Sequence, residues 1–181
     1  MFTLPNILGF FRLLAAPIVF YLIFNGKTEL GFWLFAIAAL TDAIDGPIAR
    51  KMNLTNTFGL FLDPIADKLL VNAAFVSAAL QGLLPVWLAG LVFARDILLG
   101  GCFALSKFKD WPVTVDPVRL SKTNTGLQIL LVALALGGAA FQIKLYWPIK
   151  ILILVVALTT ILSGLIYLGR WLKTLPGKSG P

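Results

Sequence analysis

Asp42, Asp45, Asp63 and Asp67 make up half of the eight acidic residues in this 181-residue chain, and they fall within the single stretch DAIDGPIARKMNLTNTFGLFLDPIAD. On helices, residues three or four apart share a face, so Asp42 with Asp45 and Asp63 with Asp67 form two pairs, each about one turn deep. A short connection around Asn53-Leu54-Thr55-Asn56 makes the two helices antiparallel neighbours and brings the pairs towards one point. Four carboxylates in an apolar setting repel one another and lose hydration, so positive charge must accompany them. Three sources come into question. Arg12, Arg50 and Lys68 could pair with the aspartates, but Arg50 and Lys68, which flank the cluster, leave at least two carboxylates over. A proton or cation relay of the transporter kind uses one or two carboxylates near the membrane midplane, often beside broken helices. Two hard cations, Mg²⁺ or Mn²⁺, fit best, because such ions take carboxylate oxygens and a pair about 3.5–4 Å apart clamps a phosphoryl group. Gly46 and Ala49 clear the face that carries Asp42 and Asp45, and Gly59 does the same one turn before Asp63. The slot so opened admits a ligand to the backbone, with Arg50 placed for a phosphate.

The elements that hold these residues belong in a bilayer. Hydrophobic residues make up 59% of the chain and charged ones 13%, against about a quarter charged in soluble domains, and the mean hydropathy is +0.93. Glycine, proline and charge clusters divide the chain into helices expected near 6–25, 30–52, 58–80, 85–106, 118–141 and 146–171, each near the roughly 20 residues that a span needs. The expected fold is all-α, a polytopic membrane protein of six spans around a cytoplasm-facing polar cavity, forming one domain over residues 1–181. The start, MFTLPNILGFFR, has neither the basic leader of a secretory signal nor the Arg- and Ser-rich character of a transit peptide, and is read as mature sequence.

Lysine and arginine gather on the cytoplasmic side of a membrane. Arg50, Lys51, Lys107, Lys109, Arg119, Lys122, Arg170, Lys173 and Lys178 fall on one side, against Lys27, Lys144 and Lys150 on the other. The termini and the aspartates are therefore expected on the cytoplasmic side, in a bacterial inner membrane. This bias and anionic headgroups account for the net charge of +7, and no interleaving of basic and aromatic residues suggests nucleic acid. The chain has no histidine, which removes imidazole as base, nucleophile or ligand. Cys102, the one cysteine, is expected to pack.

The residues spell D-x2-D-G-x2-A-R-x8-G-x3-D-x3-D without gap or substitution through Asp42, Asp45, Gly46, Ala49, Arg50, Gly59, Asp63 and Asp67. The pattern resembles the CDP-alcohol phosphotransferases, and the likeness extends from Leu4-Pro5-Asn6 through the last helix. It implies six membrane helices, a homodimer, and displacement of CMP from CDP-diacylglycerol by an alcohol. Residue by residue, it implies that Asp42, Asp45, Asp63 and Asp67 hold two divalent ions and that Asp67 is also the general base. It further implies that Asp45, Gly46, Ala49, Arg50 and Gly59 line the CDP site. Pro47 departs from the aromatic often found there and bears on the set of Arg50.

The acceptor must be read from the second half. Ala94-Arg95-Asp96 and the segment Arg119 to Gln128 bring polar groups to the cytoplasmic end, and the expected acceptor-binding residues are Arg95, Arg119, Lys122 and Asn124. Arg95 and Asp96 could instead pair with each other or with another helix, and Lys122 could anchor at the interface. Phosphatidylglycerophosphate synthases of this family carry a second lysine where this chain has Asn124, whereas Ala94-Arg95-Asp96 with Thr125 and Gln128 is nearer the cardiolipin synthases. Phosphatidylglycerol brings one phosphodiester charge where glycerol 3-phosphate brings nearly two. One cation fewer therefore favours the lipid acceptor, with the polyol phosphate as the alternative. A cation transporter or a non-catalytic lipid-binding membrane protein stays open as a reading of another class.

Overall fold

The computed structural model describes residues 4–51, 57–109 and 119–173, with side chains described for 9–41, 66–106, 108–109 and 120–172. Among the described residues, six helices follow in order: α1 (Leu4–Phe24), α2 (Thr28–Lys51), α3 (Thr57–Leu80), α4 (Val86–Phe108), α5 (Arg119–Ala140) and α6 (Tyr146–Lys173). Each boundary lies within two residues of the sequence expectation. The glycine and proline punctuation explains why. Gly26 and Gly82 adopt φ of +75° and +73°, the left-handed turn that only glycine enters without strain. At each of these ends the next amide reaches back five residues, Lys27 N–H to the Leu22 carbonyl and Leu83 N–H to the Ala78 carbonyl, closing the helix with its last carbonyls satisfied. Gln142 takes the same place after α5, at φ 55°.

Two long-range contacts fix the register of α1 on α3. Arg12 pairs with Asp67, and Gln81, just past α3, donates to the Phe24 carbonyl at the end of α1. The two helices therefore run parallel, with α2 returning between them in sequence. Small side chains let them approach closely, as Ala15 and Ala16 on α1 and Ala66, Ala74 and Ala78 on α3 are all buried. Gly31 makes the corresponding fit at the start of α2, where a Cβ would stand 2.6 Å from Ile23 Cγ1. In the second half α4 and α6 are pinned in parallel by Arg95 to Ser163 and by Trp171 to Ser106. The helix α5 packs on both α6 and α2. One apolar core draws on all six helices, through residues such as Val19, Phe35, Phe75, Leu88, Leu131 and Val156.

The surface is as apolar as the core. Leu14, Tyr21, Leu40, Ile97, Leu154, Leu158 and Leu165 are all exposed, while Arg12, Ser77, Arg95, Asn124, Gln128, Thr160 and Ser163 are buried. Water penalises that distribution, and hydrocarbon favours it. Among the described residues, Val86–Ser106, Leu120–Ala140 and Tyr146–Leu172 are long and apolar enough to cross a membrane, and Gly9–Phe24 and Thr28–Thr41 are shorter apolar helices.

Candidate active site

The described polar side chains form a belt near the middle of the helices. It starts on α1, where Arg12 is 3% exposed and pairs with Asp67 on α3. The adjacent residue, Lys68, pairs with Asp96 on α4. Asn72, one turn further along α3, donates through Nδ2 to the other oxygen of Asp96 at 3.1 Å. That donor contact fixes the amide orientation, since the reverse would set two acceptor oxygens against each other, and it leaves Asn72 Oδ1 buried without a hydrogen-bond partner.

Arg95 carries the belt across to α5 and α6. Its guanidinium donates through Nη1 to Asp96 at 2.8 Å, through Nη2 to Ser121 at 2.6 Å and through Nε to Ser163 at 3.3 Å. A planar fork with donors on several edges suits this three-way task. The arginine stem packs beside Gly164, its Cγ 3.8 Å from where a Cβ would stand, an ordinary contact distance. Beyond it, Asn124 is fully buried. Its Oδ1 accepts from Thr159 at 2.7 Å and Thr160 at 3.0 Å, and its Nδ2 is buried with no hydrogen-bond partner. Gln128 donates to Thr160 at 3.5 Å.

Asp67 is the member of the aspartate quartet whose side chain is described; at 33% exposed it is the open end of the belt. It lies ten residues into α3, roughly 15 Å along the axis from the first residue. Asp42, Asp45, Gly46, Ala49 and Arg50 lie on the last turns of α2, and Gly59 and Asp63 on the first turns of α3. Their side chains, with that of Arg119, are outside the described residues. The helix α2 continues through Pro47 to Lys51.

The structure sorts the other sequence expectations by partner. Arg12, weighed as a counter-ion, does pair with Asp67, whereas among the described residues the ion pair of Lys68 goes to Asp96. Arg95 and Asp96 pair with each other and with neighbouring helices, the structural alternative to a free acceptor site. Lys122 is exposed and Asn124 buried, so these two residues face different ways on α5. Cys102 is buried, as expected. Sequence reasoning missed Asn72, Thr159, Thr160 and Ser163. The signal was there in α6, where Thr159-Thr160 and Ser163 interrupt the most apolar of the candidate spans.

The profile of the CDP-alcohol phosphatidyltransferase family matches residues 2–172. The chain belongs to this family. It is 35% identical to the cardiolipin synthase (CMP-forming) / mitochondrial hydrolase fusion protein of Schizosaccharomyces pombe over 92% of the chain and 31% of that protein. It is 32% identical to human cardiolipin synthase (CMP-forming) over 96% of the chain and 63% of that protein. Identity to the CDP-diacylglycerol–glycerol-3-phosphate 3-phosphatidyltransferase of Rickettsia felis is 34%, over 91% of the chain and 93% of that protein. The chain thus spans between about a third and two thirds of these two cardiolipin synthases and nearly all of the rickettsial enzyme.

Proposed function

We propose that this chain transfers a phosphatidyl group from CDP-diacylglycerol to an alcohol, releasing CMP, in phospholipid biosynthesis. One observation carries the proposal: the last aspartate of the family motif, Asp67, stands partly buried and held by Arg12 at the edge of a polar belt inside an apolar bundle. The reading places all six helices in the membrane around a polar cavity, as a homodimer of single-domain protomers. It sets the termini and the site on the cytoplasmic face of a bacterial inner membrane. The surplus of lysine and arginine at that end supports the orientation. Cysteines introduced at Lys109 and Lys144 in a Cys102→Ser background should label from opposite sides, and labelling from one side would overturn the topology. Crosslinking in native membranes tests the dimer.

The donor set fits a hard divalent cation, because the motif offers carboxylate oxygens and the chain has no histidine. Asp42, Asp45, Asp63 and Asp67 would hold two ions, Mg²⁺ or Mn²⁺. Such ions neutralise the pyrophosphate and the departing CMP. Asp45, Gly46, Ala49, Arg50 and Gly59 bind the CDP moiety in this reading, the glycines and alanine leaving space and Arg50 supplying charge. The acceptor hydroxyl attacks the phosphorus that bears the diacylglycerol, the bond from that phosphorus to the CMP oxygen breaks, and the hydroxyl proton passes to Asp67. Arg12 holds that carboxylate in place through the ion pair.

Phosphatidylglycerol is the favoured acceptor, which makes the product cardiolipin. Arg95, Arg119, Lys122 and Asn124 are the proposed acceptor residues, with Lys122 exposed for a phosphodiester and Asn124 Nδ2 an amide donor not otherwise engaged, suited to a glycerol hydroxyl. Likeness to cardiolipin synthases from yeast and human supports this. Glycerol 3-phosphate is the second reading, favoured by the nearly end-to-end match to the rickettsial enzyme.

Purified protein given CDP-diacylglycerol with either acceptor separates the readings. Mass spectrometry should find cardiolipin with phosphatidylglycerol and little product with glycerol 3-phosphate, and EDTA should stop both CMP release and lipid formation. Phosphatidylglycerophosphate as sole product would establish the second reading. Absence of CMP release with either acceptor and added Mg²⁺ or Mn²⁺ would reject the enzyme and leave a transporter or lipid-binding protein. Turnover unaffected by EDTA would remove the metal pair.

A further inference from the structure

The end of the bundle away from the aspartates holds a cavity of about 500 Å³, lined by Gly82, Leu83, Leu84, Pro85, Tyr146, Ile149, Lys150 and Ile153. It lies between the α3–α4 turn and the first turns of α6, and its volume falls in the ~300–1,000 Å³ range of small-molecule sites. Nothing in the proposed phosphatidyl transfer uses it, since the motif residues occupy the opposite ends of α2 and α3.

Its chemistry is divided. Leu83, Leu84, Ile149 and Ile153 give it an apolar floor, while Lys150 and Tyr146 stand at its polar edge. The Lys150 ammonium lies 5.6 Å from the Tyr146 ring centre and 5.9 Å from that of Trp147, so two aromatic faces hold the charge at the mouth. Tyr146, Trp147 and Trp87 are all more than half exposed, the pattern of an aromatic belt at headgroup level. Lys27, Lys144 and Lys150 face one acidic residue, Glu29, in this part of the chain. An apolar groove on a membrane-facing bundle, opening at a cation held among interfacial aromatics, matches a molecule with an acyl chain and an anionic head.

We propose that this cavity binds one anionic glycerophospholipid of the surrounding leaflet, with an acyl chain along Leu84, Ile149 and Ile153 and the phosphate at Lys150. The proposal rests on the membrane-spanning reading given above. It makes the bundle a two-site lipid protein, with a substrate site at one end and a structural lipid at the other.

The probe is dioleoylphosphatidylserine, which is neither the proposed donor nor the proposed acceptor. Native mass spectrometry of the detergent-solubilised protein should show one tightly retained phosphatidylserine, in preference to dioleoylphosphatidylcholine. Lys150→Gln should weaken retention about fivefold, as expected for one lysine near an anionic headgroup. Ile153→Trp should fill the groove and remove retention. A photoactivatable acyl chain should crosslink to peptides containing 82–85 or 149–153. Both variants should release CMP within twofold of the wild-type rate, so loss of the lipid with CMP release intact supports the site. Equal retention of the two lipids, unchanged retention in Ile153→Trp, competition by inorganic phosphate alone, or crosslinks joining two copies of the chain would each overturn it. Extraction of the chain from membranes by alkaline carbonate would instead reject the membrane-spanning reading.

Discussion

The belt at mid-bundle and the rim at the far end both hold lysine and arginine, but they hold them by opposite means. In the belt, Arg12 and Arg95 are almost fully buried; Asp67 of α3 meets Arg12, and Asp96 of the same helix with hydroxyls of α5 and α6 meets Arg95. At the rim, Lys150 is exposed and leans on two aromatic faces. A buried guanidinium without partners costs several kcal/mol, so the belt's charges must be matched inside the protein, and Arg12–Asp67, Lys68–Asp96, Arg95–Ser121 and Arg95–Ser163 each tie one helix to another. An exposed ammonium is solvated already, and its aromatic contacts add only about 0.5–1 kcal/mol. Charge in the belt therefore carries architecture, whereas charge at the rim is free to meet something that is not protein.

Substitutions should expose this difference in graded steps. The largest effect belongs to Asp67→Asn. It should lower CMP release by roughly 10²–10⁴-fold, the contribution of a positioned base, while the protein still inserts and purifies. Wild-type turnover in this variant would exclude Asp67 as base. Next comes Asp96→Asn, which removes the carboxylate shared by Lys68, Asn72 and Arg95. Lys68 can turn to solvent but Arg95 cannot, so stability in detergent should fall by about 3–5 kcal/mol, read as a lower unfolding midpoint. An unchanged midpoint would mean that Arg95 does not depend on its neighbour.

Asn124→Leu is smaller. It deprives Thr159 and Thr160 of an acceptor, but the Thr159 hydroxyl can turn to the carbonyls of Val155 or Val156 in its own helix. A loss of about 1–3 kcal/mol is expected, with a raised KM for phosphatidylglycerol if Nδ2 meets the acceptor. A lower midpoint with an unaltered KM would confine Asn124 to packing. Lys150→Gln is the smallest, leaving turnover within twofold and the midpoint in lipid-free detergent within about 0.5 kcal/mol. A large loss of either would erase the distinction between belt and rim.

Most of the helix plan was legible because its punctuation is local. Asn25-Gly26 and Gln81-Gly82 stop helices wherever they occur, since the left-handed turn is a property of glycine itself. The pairing of the aspartates on helix faces was local too, as spacing alone aligns Asp42 with Asp45 and Asp63 with Asp67. Partner choice was not. Lys68 sits beside Asp67 in sequence, yet its carboxylate is Asp96, 28 residues away. Asn124 differs from Lys122 by two positions, and a helix turns that separation into opposite faces, one exposed and one packed on α6. Thr159, Thr160 and Ser163 stand out as interruptions of an apolar helix, but isolated hydroxyls there can bond back to their own backbone, and nothing in the sequence says which will reach across.

What the sequence determined by itself was therefore everything set by a residue and its neighbours within a turn or two: an apolar six-helix chain, the helix ends, the pairing of aspartates on a face and the family that pairing denotes. Only the tertiary structure decided that Arg12 stands against Asp67, that Asp96 gathers Lys68, Asn72 and Arg95, and that Arg95 ties α4 to α5 and α6. The reason is the low dielectric of the interior. It obliges each buried charge or polar group to find a partner but does not name that partner, and the answer comes from which helices the close packing of small residues has already brought side by side.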